Sequence, residues 1–133
     1  MKFSTRTTYG LRAMTNLARN WGNGTISLHN IADKEKISLG YLERLFAKLK
    51  RANLVKAEKG VAGGYSLSRR PGQIAVYDIV KVLEGNMASF NCLSDNGKAD
   101  CELKDSCGAV KVLTKVQKAI NLTLESIKLD DLI

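Results

Sequence analysis

Apolar residues near the start of the chain recur at three- and four-residue steps, which is the spacing of one face of an α-helix. The first stripe runs through Leu11, Met14, Leu17, Ala18 and Trp21. The Gly-Asn-Gly segment at residues 22–24 is expected to end this helix. A second, shorter helix is predicted over residues 27–36, with Ser27 as its N-cap.

A third helix is predicted over residues 39–52, with Ser38 as its N-cap. At 100° per residue its apolar side chains share one arc, formed by Leu39, Leu42, Leu45, Phe46 and Leu49. The opposite arc is small and basic, with Gly40, Arg44, Ala47 and Arg51 flanked by Tyr41, Glu43, Lys48 and Lys50. Two helices joined by a very short turn, the second with a basic outer face, are typical of a helix-turn-helix.

Two short alternating runs follow, over residues 54–58 and 65–68, and a glycine-rich segment separates them. This pattern predicts a β-hairpin whose glycines supply the positive φ angles of the loop. A hairpin directly after a helix-turn-helix is a wing. The segment is not a phosphate loop, because it lacks the Gly-Lys-Ser/Thr ending and does not run from a strand into a helix.

The rest of the chain predicts one short helix, one long loop and one long helix. Val76, Ile79, Val80 and Leu83 form the inner face of the short helix, and Gly85 ends it. Residues 86–108 show no period and contain all three cysteines, and a loop of that length is best explained by a bound ligand. Over residues 109–127 an apolar stripe recurs, formed by Leu113, Val116, Ile120, Leu124 and Ile127 and widened by Val112 and Ala119.

We therefore expect a mainly α fold with a small β-hairpin wing. Residues 1–85 would form a winged helix-turn-helix domain, residues 86–108 a cysteine-bearing cluster loop, and residues 109–133 a dimerisation helix with a C-terminal tail. The stripe of the last helix has little domain left to cover, so we predict that it pairs with a second copy. Packing onto the same subunit is the alternative.

The positive charge of the chain lies in its first half. Residues 1–75 hold 14 Lys/Arg and 4 Asp/Glu, whereas residues 76–133 hold 7 and 9. This asymmetry indicates a polyanionic partner, and double-stranded DNA fits best because each neutralised phosphate releases counterions. An anionic membrane would need a basic helix with an unburied apolar face, and none is left over, so no membrane partner is expected.

The candidate DNA-contacting residues follow from the outer face of the third helix and from the wing. Tyr41, Glu43 and Arg44 are placed to reach base edges, with Glu43 as an acceptor from cytosine or as a brace for an arginine. Lys48, Lys50 and Arg51 are expected at phosphates. The wing would add Lys59 and the backbone at Gly63 and Gly64. The complete set is Ser38, Gly40, Tyr41, Glu43, Arg44, Lys48, Arg51, Lys59, Gly63 and Gly64.

Cys92, Cys101 and Cys107 lie within sixteen residues of one another. Structural zinc usually needs closely spaced cysteine pairs and four ligands, and the single histidine, His29, lies far away in sequence. Thiolates are the chief ligands of iron–sulfur clusters. From the residues alone a cluster, a zinc site and a thiol redox switch all remain open.

Four segments together resemble the iron–sulfur cluster regulators typified by IscR, NsrR and RirA. They are TYGLRAM at residues 8–14, ISLGYLERLF at 37–46, KGVAGGYSL at 59–67 and CELKDSCG at 101–108. The resemblance implies a homodimeric transcription regulator on a palindromic operator. It also implies one [2Fe–2S] or [4Fe–4S] cluster per subunit at Cys92, Cys101 and Cys107, which senses cluster supply, iron or nitric oxide.

The chain departs from that family at three positions. A histidine of the IscR branch is replaced by Val110, an aspartate of the NsrR branch by Thr8, and the wing arginine by Lys59. The fourth cluster ligand is therefore open, with the Thr7 or Thr8 hydroxyl, water or a small thiol as candidates. Lysine at 59 also loses the bidentate geometry of arginine.

Two further classes are disfavoured. No nucleophile–base set or paired catalytic carboxylates are evident, so an enzyme is not expected. No apolar run approaches the ~20 residues that span a bilayer, and the first residues lack an apolar signal segment, so a cytoplasmic protein is expected.

Overall fold

Five helices and one antiparallel hairpin follow one another in the computed structural model, which describes residues 2–133. In chain order they are α1 (Thr5–Arg19), α2 (Leu28–Glu35), α3 (Leu39–Arg51), β1 (Val55–Glu58), β2 (Gly64–Leu67), α4 (Val76–Glu84) and α5 (Gly108–Ser126). Short 3-10 turns lie at Pro71–Gln73 and Leu129–Leu132. The mainly α fold with a two-stranded wing is thus confirmed.

The helix ends follow the predicted signals at most positions. Ser27 Oγ accepts from the Asn30 amide at 3.1 Å, and Ser38 Oγ accepts from the Tyr41 amide at 3.2 Å, so both serines are N-caps. Gly85 ends α4 at φ 84°, a conformation that favours glycine. The first helix ends two residues earlier than its stripe suggests. Trp21 is 42% exposed in the following turn, so its predicted inward position is wrong.

The main core lies between α1, α3, α4 and the hairpin. The largest fully buried side chains include Met14, Leu42, Phe46, Leu49 and Leu83. Leu39, by contrast, is 37% exposed, so the first residue of the predicted inner arc of α3 lies at the surface. Gly10 marks the close approach of α1 and α4, because a Cβ there would collide with the side chain of Leu83.

The wing is fastened to the segment before α2. Val55 pairs with Leu67 and Glu58 with Gly64 in the hairpin register. Ile26 and Tyr65 exchange backbone hydrogen bonds at 2.9 and 2.8 Å. These contacts fix the hairpin against the helix-turn-helix.

The C-terminal segment returns to the first half of the chain. The Val76 amide donates to the Ile127 carbonyl at 2.8 Å, and the Leu129 amide donates to the Ile74 carbonyl at 2.9 Å. Leu129 is fully buried in the main core. The loop over residues 86–108 lies between α4 and α5, and the tail after α5 shares its core with the winged helix-turn-helix.

The two faces of α5 differ from the usual pattern of an amphipathic helix. Its buried residues are Val110, Gln117 and Asn121. Leu124 and Ile127 pack against a small cluster of Val76, Val80 and Met87 on the same subunit. The remaining stripe residues Leu113, Val116 and Ile120 are only half-buried, while Val112 and Ala119 are exposed.

Candidate nucleic-acid interface and cysteine loop

The α2–α3 pair has the geometry of a helix-turn-helix. Lys36 ends α2 in the left-handed region at φ 57°, and the buried Ile37 leads directly to the N-cap of α3. Because Leu42, Leu45, Phe46 and Leu49 are inside, the opposite face of α3 must point outward. The exposed residues on it are Gly40, Glu43, Arg44, Ala47 and Arg51.

Most of the predicted DNA-contacting residues of α3 reach solvent. Arg44 and Arg51 are exposed, whereas Tyr41 and Lys48 are half-buried. Ser38 is exposed as well, but its hydroxyl oxygen is already used as the helix cap. Apart from its chain neighbours and the nearby backbone of α3, no protein atom lies within 4 Å of a Cβ built on Gly40, so packing inside the subunit does not require glycine there.

The wing is anchored to α3 by aromatic packing. The rings of Phe46 and Tyr65 meet edge to face, with centroids 4.9 Å apart and an interplanar angle of 70°. Thr25 Oγ1 donates to the Ala62 carbonyl at 2.8 Å, which links the tip of the hairpin loop to the segment before α2. Lys59 is exposed beside this tip. The wing therefore presents Lys59 to solvent at its loop, in addition to the exposed Lys56 on β1.

The wing glycines serve the fold in different ways. Gly60 alone among them has a positive φ, 108°. A Cβ on Gly63 would collide with the Glu58 carbonyl oxygen, and one on Gly64 with the Ile26 backbone. Gly63 and Gly64 are thus required by close backbone approach inside the protein, a reason that the sequence pattern did not reveal.

Two half-buried carboxylates hold α1 against its neighbours. Asn16 Nδ2 donates to Glu35 Oε1 at 2.6 Å and Arg12 Nε donates to Glu35 Oε2 at 3.0 Å, and these contacts lower the pKa of Glu35 despite its partial burial. Burial raises the pKa of Glu84, but hydrogen bonds from Ser4 and Thr7 outweigh it and leave that pKa below its ordinary value. Both carboxylates therefore stay ionised at neutral pH.

The cysteine loop is folded by short-range backbone bonds. The Asp100 amide donates to the Cys92 carbonyl at 3.0 Å, the Lys104 amide to the Cys101 carbonyl at 3.1 Å, and the Cys107 amide to the Leu103 carbonyl at 2.9 Å. All three cysteines are free and half-buried. Cys107 is the N-cap residue of α5.

The chemical type of these side chains fits an iron–sulfur cluster, because three free, half-buried thiols lie in one loop and thiolates are the chief ligands of such clusters. Within residues 2–133, no three His, Cys, Asp or Glu side chains are grouped closely enough to hold a single metal ion. Of the two threonines considered as a fourth ligand, Thr7 is buried and donates its hydroxyl to Glu84 Oε1 at 2.5 Å. Thr8 is exposed.

A buried amide pair, which the sequence pattern did not single out, connects the loop to α5. Gln117 Oε1 accepts from the Ser89 amide at 2.7 Å, and its Nε2 donates to the Met87 carbonyl at 2.7 Å. Asn121 Nδ2 donates to the Asp95 carbonyl at 2.8 Å. The only signal in the sequence is a pair of amides four residues apart within an otherwise amphipathic helix.

The family is decided by comparison with known proteins. A family model described as Rrf2, iron-dependent transcriptional regulator, matches residues 3–133. The chain belongs to the Rrf2 family. This confirms the resemblance found in the sequence, since IscR proteins are among its relatives.

Two Rrf2 regulators illustrate the likeness. The chain is 38% identical over 132 residues to the HTH-type transcriptional regulator CymR of Bacillus subtilis, covering 99% of this chain and 89% of CymR. The structure of CymR, described as the global cysteine regulator of B. subtilis, has a TM-score of 0.83 at 36% identity and covers 99% of this chain and 95% of that one. T. potens IscR has a TM-score of 0.76 at 41% identity, covering 98% and 85%.

Membership of the Rrf2 family makes the chain a DNA-binding transcription regulator, and its relatives are themselves named transcriptional regulators. Among residues 2–133, no helix is both long and apolar enough to cross a bilayer.

Proposed function

We propose that this Rrf2 protein is a homodimer that binds a palindromic operator through α3 and the wing, under the control of an iron–sulfur cluster at Cys92, Cys101 and Cys107. The observation that carries the proposal is the exposed basic outer face of α3, centred on Arg44, together with the exposed Lys59 in the loop of the wing. The same face sits on the strongly basic half of the chain.

On this proposal the exposed residues divide by chemistry. Arg44 and Glu43 lie near the N-terminal end of α3 and read base edges in the major groove. Lys48, Arg51 and Lys59 contact phosphates, which position the protein without reading sequence.

Binding measurements on Arg44 test the DNA half of the proposal. Arg44→Glu should abolish binding to a selected operator, while Lys56→Ala or Arg70→Ala should weaken binding to operator and random duplex alike. Equal losses at Arg44 on operator and random DNA would contradict the reading role.

The remaining stripe of α5 supports the dimer. Phe3, Val116, Ala119, Ile120, Thr123 and Leu124 line one shallow apolar depression on the surface. Since the buried side of α5 is occupied by Gln117 and Asn121, this apolar side is available to a second copy. Two subunits paired there would present their α3 helices ~34 Å apart, matching operator half-sites one helical turn apart.

The cysteine loop is the proposed sensor. When bound, a [2Fe–2S] or [4Fe–4S] cluster would supply iron–thiolate bonds that tie the three cysteine positions together. Thr8 is the candidate fourth ligand, with water or a small thiol as alternatives. Because Gln117 and Asn121 hold the backbone at residues 87, 89 and 95, order in the loop is linked to the position of α5.

Purification without oxygen tests the sensor half. A brown protein with iron and acid-labile sulfide in proportion to subunits is expected, and Cys→Ser changes at positions 92, 101 or 107 should remove the colour. A colourless wild-type protein after anaerobic reconstitution would reject the cluster.

The likeness to CymR, itself described as a cysteine regulator, favours a second candidate. In this version the chain binds DNA in the same way but carries no cluster, and the three thiols act as a redox switch or bind zinc. It predicts a colourless protein whose operator affinity changes when the thiols are oxidised or when zinc is removed.

A further inference from the structure

Four side chains from two helices form one continuous stack that ends at the outer face of α3. The Arg12 guanidinium lies 5.5 Å from the ring centroid of Tyr9, on α1. The Tyr9 and Tyr41 rings meet edge to face, with centroids 5.6 Å apart and an interplanar angle of 85°. The Arg44 guanidinium lies 5.5 Å from the ring centroid of Tyr41. Cation–ring and edge-to-face contacts of this kind are attractive.

The inner end of the stack is held firmly. Arg12 is fixed by its ion pair with Glu35, where Nε and Oε2 are 3.0 Å apart. The Tyr41 amide is bonded to the cap Ser38 Oγ, and the Tyr41 hydroxyl lies 3.3 Å from Thr5 Oγ1. The Tyr41 ring is thereby positioned by α1 on one side and by the start of α3 on the other.

The outer end of the stack carries an exposed arginine. A free arginine on a surface samples many rotamers and loses that freedom when it binds a base, which reduces affinity. Resting on the Tyr41 ring, Arg44 is already restricted before DNA arrives. Because the half-buried Tyr41 is clamped by Tyr9, it forms a platform for Arg44, a different role from the base contact expected from the sequence.

We propose that Tyr9 is a positioning residue for sequence reading: by holding Tyr41 it preorganises Arg44, so that α1 contributes to operator specificity from outside the helix-turn-helix. The inference rests on the proposed function, in which Arg44 reads the operator.

Two substitutions at Tyr9 test it. The probe is a duplex selected by the wild-type protein from a randomised library, compared with a random duplex of equal length. Tyr9→Leu removes the ring and should lower affinity for the selected duplex about three- to tenfold while leaving the random duplex and the salt dependence unchanged. Tyr9→Phe keeps the ring and should retain wild-type affinity for the selected duplex.

A double-mutant cycle separates positioning from general damage. In an Arg44→Ala background, Tyr9→Leu should have no further effect on the selected duplex. Tyr77→Leu is the matched control, because Tyr77 is also half-buried under a cation, Lys81 at 5.9 Å, but lies on α4. It should leave discrimination between the two duplexes unchanged.

The outcomes distinguish the inference from the function beneath it. The positioning role is overturned if Tyr9→Leu binds the selected duplex as tightly as wild type does. It is also overturned if Tyr9→Leu causes the same loss of affinity in the Arg44→Ala background as in wild type, or if Tyr77→Leu causes the same loss as Tyr9→Leu. If Arg44→Ala lowers the affinity for the selected and the random duplex by the same factor, the reading role of Arg44 fails instead.

Discussion

The side-chain amide of Gln117 donates to the carboxamide oxygen of Asn121 one turn later in α5, with 3.0 Å between Nε2 and Oδ1. Both side chains are buried, and Gln117 is completely inaccessible to solvent. Each also bonds to the backbone of the cysteine loop. A buried polar pair of this kind is tolerated because its bonds are made, and breaking one member leaves backbone groups unsatisfied.

Gln117→Leu should therefore loosen the cysteine loop. The change leaves the Ser89 amide and the Met87 carbonyl without their partner, at a cost of about 1–3 kcal/mol for a buried unsatisfied group. Amide hydrogen exchange should become faster at residues 87–95 while α1–α3 stay protected. Lys115→Ala, a change at an exposed residue of the same helix, is the control. If amide exchange in the loop of Gln117→Leu stays as slow as in wild type, Gln117 does not hold the loop in place.

Ile120→Asp should weaken the proposed dimer. Ile120 is half-buried and borders the apolar depression with Val116 and Phe3, so a carboxylate there would be desolvated on pairing. Sedimentation velocity should show a shift from dimer to monomer at micromolar concentration, with helix content retained. Glu125→Asp, at an exposed position of α5 that does not line the depression, should remain dimeric. A dimeric Ile120→Asp protein would place the interface elsewhere.

Amphipathic periodicity predicted α3 well because one core dictates its inner face. Leu42, Leu45, Phe46 and Leu49 are buried at 2% exposure or less. Arg44 on the opposite side is exposed, so the sequence alone predicted which face of α3 points outward. The same reasoning failed at Trp21, because the helix ends at Arg19 and the turn after it redirects the chain.

Periodicity could not predict the arrangement of α5. Polar residues usually indicate solvent, yet Gln117 and Asn121 are buried because a non-periodic loop supplies backbone partners for them. The Tyr9–Tyr41 contact was hidden for a related reason. It joins residues 32 positions apart on two helices, and only the tertiary packing of α1 on α3 brings them together.

Acid should weaken the attachment of α1 to α4 through Glu84. Its pKa is lowered in the folded protein, because hydrogen bonds from Ser4 and Thr7 and the nearby Arg6 outweigh its burial. A lowered folded pKa means that the ionised carboxylate stabilises the fold above the pKa of the unfolded chain, and that this contribution disappears as the pH falls through the folded value.

Glu84→Gln should accordingly be less stable than wild type at pH 7, and the difference should shrink below the ordinary glutamate pKa of 4.5. Urea unfolding between pH 7 and pH 3 measures this difference. Thr7→Val removes one of the donors and should shift the acid-sensitive range upward. A stability difference that stays constant across this pH range would show that the carboxylate charge does not contribute.

Two glycines in helices should respond oppositely to alanine. At Gly10 a Cβ collides with the Leu83 side chain, so Gly10→Ala should destabilise the fold by about 1–3 kcal/mol through overpacking.

At Gly40 a Cβ meets no protein atom within 4 Å outside the backbone of α3 and its chain neighbours, so Gly40→Ala should stabilise the fold by up to about 1 kcal/mol through the backbone entropy of the unfolded chain. If α3 lies in the major groove, the same methyl group should weaken operator binding, because it occupies the side of the helix that approaches DNA. Denaturant unfolding and operator titration of the two variants therefore separate a glycine required by helix packing from one required by the ligand. Unchanged operator affinity in a more stable Gly40→Ala protein would argue against close approach of α3 at this point.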